Sequence, residues 1–107
     1  MPSFRLLFNV HELFPGHHPD AVMDTTVQVV ASHGFVEANQ LNVRLRGGVP
    51  VPEITVRFTL PESSETEENL GAEAVRADVH DALGTIASTS GFRILRRVRG
   101  KWVSTRS

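Results

Sequence analysis

Cysteine is absent from the 107-residue chain, which excludes disulfides, thiolate metal ligands and a cysteine nucleophile. Lysine occurs once, at Lys101, against ten arginines, so the positive charge is carried almost entirely by planar guanidinium groups suited to bidentate anion contacts. Long apolar runs are missing as well. The opening Met1-Pro2-Ser3-Phe4-Arg5-Leu6-Leu7-Phe8 is too short for a signal h-region or a membrane span, so the expectation is a cytoplasmic protein with no membrane partner. Neither sign of charge dominates: a formal net charge of −1 argues against a nucleic-acid binder held by bulk electrostatics. There is no Gly-x-Ser-x-Gly, no phosphate loop and no dinucleotide fingerprint. Gly47-Gly48 is followed by Val-Pro, which cannot open a helix around a phosphate.

What is present fits one globular domain spanning residues 1–107, with 40% apolar and 21% charged residues. The clearest signal is Ile54–Leu60. Ile54, Val56, Phe58 and Leu60 point one way and Thr55, Arg57 and Thr59 the other, which predicts a strand with one dry face. Phe4 to His11 alternates in the same manner, with Leu7 the one apolar residue on its polar side. Val36 to Arg46 predicts a further strand, Leu41, Val43 and Leu45 inward and Asn42, Arg44 and Arg46 outward. Gly47 to Pro52 reads as a turn whose prolines deny ladder donors.

Two helices are expected. Pro19 suits the first helical position and Asp20 the first turn, and Val22, Thr26, Val29, Val30 and His33 then share a face up to a cap at Gly34. Met23 to Ala31 also reads as alternating, since many of its residues are β-branched; the caps favour helix. Ser64-x-x-Glu67 is a capping box that opens a second helix running to about Ser88 and ending at Ser90-Gly91-Phe92. A last strand runs through Ile94 and Val98 towards Trp102, with Arg99-Gly100 able to turn the tail into a small hairpin. Shifted by 57 positions, Val22 falls on Val79, Gly34 on Gly91 and Phe35 on Phe92, as though both helices ended in the same cap. Two βαβ crossovers predict an α+β, ferredoxin-like βαββαβ sandwich: a four-stranded antiparallel sheet, order 4-1-3-2, with both helices on one face.

Strand parity also sorts charge. The helix-free face is expected to receive Arg5, Arg44, Arg46, Arg57, Arg93, Arg97, Arg99 and Lys101, while most acids fall on the helices and their loops. Arg96 breaks the parity, as a bulge would allow. The plain reading is a solvated sheet face. The functional reading is a non-enzymatic interaction or assembly module, self-associating or binding a protein partner through a sheet edge or the arginine-rich face, with Arg5, Arg44, Arg46, Arg57, Arg97, Arg99 and Trp102 as partner-binding residues. Trp102 serves equally as closure of the core edge or as an interface anchor. The alternative is anion or nucleic-acid binding by the same arginines. A four-stranded sheet with a basic face resembles the RNA-recognition module, but that module stacks bases on exposed aromatics and the outward strand positions here offer none. The third reading is a small metal-dependent enzyme using His11, His17 and His18 beside Glu12 and Asp20. Its spacing matches no helical metal motif, and no cofactor is called for.

Overall fold

The computed structural model describes residues 1–105. The elements follow as β1 (Ser3–Leu13), α1 (Asp20–His33), β2 (Phe35–Arg46), β3 (Val49–Thr59), α2 (Glu65–Leu83), β4 (Ala87–Val98) and β5 (Lys101–Ser104). The sheet is five-stranded, not four, in the order β2-β3-β1-β4-β5 with every neighbouring pair antiparallel. β1 and β3 are central, and the additional strand is the tail folding back: Arg99, at φ 50°, and Gly100, at φ 78°, make the turn, and Trp102 pairs with Arg97. Among the described residues no helix is long and apolar enough to cross a membrane.

One core explains the arrangement. Phe4, Leu6 and Phe8 of β1, Ile54, Val56 and Phe58 of β3 and Ile94 of β4 are all buried on a single face. Val22 and Val30 of α1 close over them with Ala72, Val75, Val79 and Leu83 of α2. Phe58 stacks on Phe4 at a centroid distance of 5.7 Å. The stretch 23–31 is helical despite its β-branched residues, because Thr26 is fully buried and its hydroxyl donates to the Val22 carbonyl at 2.7 Å. Tertiary burial outweighs propensity there.

Several expectations fail, each for a visible reason. α2 ends at Leu83 rather than near Ser88, capped by Gly84 in a right-handed conformation, and Ala87 already begins β4. Gly91 is therefore a strand residue at φ 67°, beside an irregularity in the β1–β4 register. Gly34 follows α1 in extended conformation, at φ −166°, where an added Cβ would lie 2.1 Å from the Thr59 carbonyl oxygen. The 57-residue echo thus aligns a helix cap with a strand bulge and marks no shared architecture. The turn after β2 is only Gly47-Gly48, both with positive φ. Pro50 and Pro52 lie inside β3, in the part flanked by β2 alone, since β1 pairs with β3 only from Glu53 onward; a missing donor is tolerated on that open side.

Leu41, Val43 and Leu45 do not enter the core. They are 59%, 61% and 74% exposed, because β2 and the start of β3 project beyond the helix layer as a two-stranded ribbon. Val98, also expected inward, is exposed at the far end of β4. Arg96 needs no bulge: it keeps the register of Ile94, faces the helices, and donates to Glu68 at 2.7 Å and to Asn69 at 2.9 Å.

Candidate functional site

Register places Arg5, Leu7 and Asn9 of β1 opposite Arg57, Thr55 and Glu53 of β3, on the face that carries no helix. Leu7, Asn9 and Glu53 are nonetheless buried there, beneath longer side chains that cover them while keeping their charged ends wet. Glu53 is the electrostatic centre of one half of the face. Its carboxylate accepts from Arg44 Nε at 3.1 Å and pairs with Arg93 Nη2 at 3.6 Å, so two of the expected basic residues are neutralised by an acid that strand parity also puts outward.

The other half gathers around Trp102. The guanidinium carbons of Arg5, Arg97 and Arg57 lie 4.3, 5.2 and 5.3 Å from the indole centroid, cation–π range for all three. The helix-free face therefore does hold an aromatic ring, supplied by the short strand that the four-strand expectation lacked. Arg57 also faces Glu37 at 3.5 Å, yet its Nε makes no hydrogen bond. Arg5 and Arg97 have no ion pair among the described residues.

The remaining expected residues scatter. Arg46 is exposed at the ribbon tip, Arg99 sits in the β4–β5 turn, and Lys101 pairs with Val98 and so shares the opposite side of the sheet. His11 contacts the Ser90 hydroxyl, and His18 Nδ1 accepts from the Asp20 amide at 3.1 Å. His17 is exposed in the loop between. Among the described residues no three His, Asp or Glu side chains converge as metal ligands. His33 ends α1 and meets Asp78 of α2 at 2.6 Å, which ties the two helices together.

Sequence reasoning missed the ribbon. Its helix-side surface carries Leu41, Val43 and Leu45, all largely exposed, opposite the buried Ile54 and the prolines Pro52 and Pro50. Leu41, Pro52 and Ile54 continue into a largely apolar groove of about 480 Å³ bounded by Val10, Val22 and Met23, and His11, Glu12 and Asp20 also line it. The signal was present in the two prolines, which stop β1 from extending along β3 and so leave that length of sheet unroofed. No protein-family model, curated protein or solved structure matches the chain.

Proposed function

We propose that this is a non-enzymatic assembly module that self-associates by pairing the β2 edge of one protomer with the β2 edge of another, on a ferredoxin-like sandwich extended by β5. The observation that carries the reading is the exposed row Leu41, Val43 and Leu45 on a twelve-residue edge strand. Edge strands offer unpaired backbone donors and acceptors, and soluble proteins commonly blunt them with short length or lysine. The opposite edge, β5, is so blunted: four residues, beginning with Lys101. β2 has neither protection.

The sequence of β2 is complementary to itself. From Ala38 to Arg46 it runs in unbroken register with β3. A twofold axis at Val43 sets Val43 against its copy and Leu41 against Leu45 in an isologous contact. On the other face the same axis sets Arg44 against Asn42 and Arg46 against Gln40, so no two arginines confront each other. Moving the axis to Leu45 would oppose Arg44 to Arg46, and moving it to Leu41 would oppose Leu45 to Glu37. Both helix layers then lie on the same side of one continuous sheet, and the two apolar rows merge.

Val43→Asp tests this, because Val43 is exposed in the protomer and its replacement leaves the core intact. Light scattering is expected to give a dimer for the native chain and a monomer for the variant, with unchanged circular dichroism. A native chain that stays monomeric at high concentration, or a variant that still dimerises, sinks the proposal.

A further inference from the structure

From the open sheet face we infer that a pocket bounded by Arg5, Arg57, Thr55 and Gln40 is a binding site for a phosphate-type oxyanion. Arg5 and Arg57 are direct cross-strand partners on the two central strands. Like charges in that relation destabilise a sheet, and the Trp102 ring against both groups offsets the repulsion without cancelling the charge. Among the described residues, Arg44 and Arg93 share the carboxylate of Glu53, and Arg96 has Glu68. Among the described residues, the cluster of Arg5, Arg57 and Arg97 meets one carboxylate, Glu37, 3.5 Å from an Arg57 Nε that makes no hydrogen bond within them. Three guanidinium groups against one carboxylate leave a local excess of positive charge in a protein whose net charge is −1.

The shape selects the class of anion. The pocket measures about 120 Å³ and is walled by Arg5, Ala38, Asn39, Gln40, Thr55 and Arg57. One water needs about 10–15 Å³ of such space, so the pocket has room for a tetrahedral oxyanion, and anything larger attached to it must project into solvent. Two guanidinium groups, the Thr55 hydroxyl and the Gln40 amide proton not taken by Asn42 Oδ1 supply donors, and guanidinium groups have no acceptor with which to hold a cation. A single-stranded nucleic acid would need free aromatic faces, and the one indole here is already engaged by three cations. The ligand is therefore free phosphate or the phosphate group of a monoester whose remainder projects into solvent.

Titration with inorganic phosphate at constant ionic strength, followed by the arginine side-chain Nε–Hε resonances, tests the assignment. The native chain is expected to show saturable shifts at Arg5 and Arg57. Arg57→Gln should weaken binding roughly tenfold or more, the scale of a lost charged hydrogen bond. Thr55→Val, which keeps both the net charge and the volume, should weaken it roughly threefold or more. Arg99→Gln removes the same charge from an exposed turn outside both the pocket and the β2 edge and should leave the affinity unchanged. Phenyl phosphate run in parallel distinguishes the sources: equal affinity means the free ion, tighter binding means a monoester. Equal weakening by Arg99→Gln and Arg57→Gln would reveal a diffuse potential and overturn the site. So would shifts that do not saturate, or a single-stranded oligonucleotide that binds in preference to phosphate with a salt dependence of several charges.

Discussion

Arg96 stands in the core-side register of β4 and is tolerated there because Glu68 meets it, and Glu68 in turn is fixed by the turn before α2. The Glu68 carboxylate accepts from the Ser63 backbone amide at 2.9 Å and from Arg96 at 2.7 Å. The amide first and the guanidinium second hold its carboxyl below the ordinary glutamate range, against the opposing effect of burial. A carboxylate whose folded-state pKa is depressed adds stability above its unfolded value, and that stability is lost as pH falls through the folded value. Glu68→Gln should accordingly lower the urea midpoint at neutral pH, with the gap to the native chain closing as pH drops below about 4.3, the ordinary glutamate value. A gap that stays constant through the acid range would dissociate Glu68 from the effect. Gly34 is a second case where one atom decides. Its added Cβ would meet the Thr59 backbone oxygen at 2.1 Å, so Gly34→Ala must push α1 off β3. The expected loss is on the order of 3 kcal/mol in denaturant unfolding, the upper range of single substitutions.

Among the elements, β5 contributes out of proportion to its four residues. It closes the far edge of the sheet and lays Trp102 against the guanidinium groups of three arginines from β1, β3 and β4. Each such contact is worth about 0.5–1 kcal/mol at an exposed site, so Trp102→Ala should cost roughly 2 kcal/mol in denaturant unfolding. Since Trp102 is the sole tryptophan, its fluorescence reports on this cluster directly. Arg5→Ala should make the indole more accessible to acrylamide quenching, and unchanged quenching would show that the ring is not covered as described. The β2–β3 ribbon is the opposite kind of element: long and regular, but with the apolar row Leu41, Val43 and Leu45 left largely exposed among the described residues.

At the scale of the molecule, a single apolar cluster joins β1, β3, β4 and both helices, which predicts one cooperative unfolding transition. Phe58 is fully buried at its centre, against Phe4. Phe58→Ala should cost about 3–5 kcal/mol, with far-UV circular dichroism and Trp102 fluorescence still melting together. Separate transitions by the two probes would mean that the edge carrying β5 is an independent unit.

Local pattern was enough for the parts of the fold that depend on neighbours in the chain. The alternation of Phe4 to Val10 and of Ile54 to Leu60 identified the two central strands, and Ser64 caps α2 by accepting from the Glu67 amide at 3.2 Å. Odd-even placement likewise put Arg5 and Arg57 on the face without helices, because a period of two is a property of an extended backbone whatever it packs against. Local pattern could not say which apolar rows would find cover. Leu41, Val43 and Leu45 read the same as Phe4, Leu6 and Phe8; only the reach of the two helices buries one row and leaves the other bare. Nor could it separate an arginine with a carboxylate beneath it, as Arg44 has in Glu53, from one such as Arg5 that faces another arginine. Those pairings join residues up to half the chain apart, and only the closing of the sheet brings them within reach of one another.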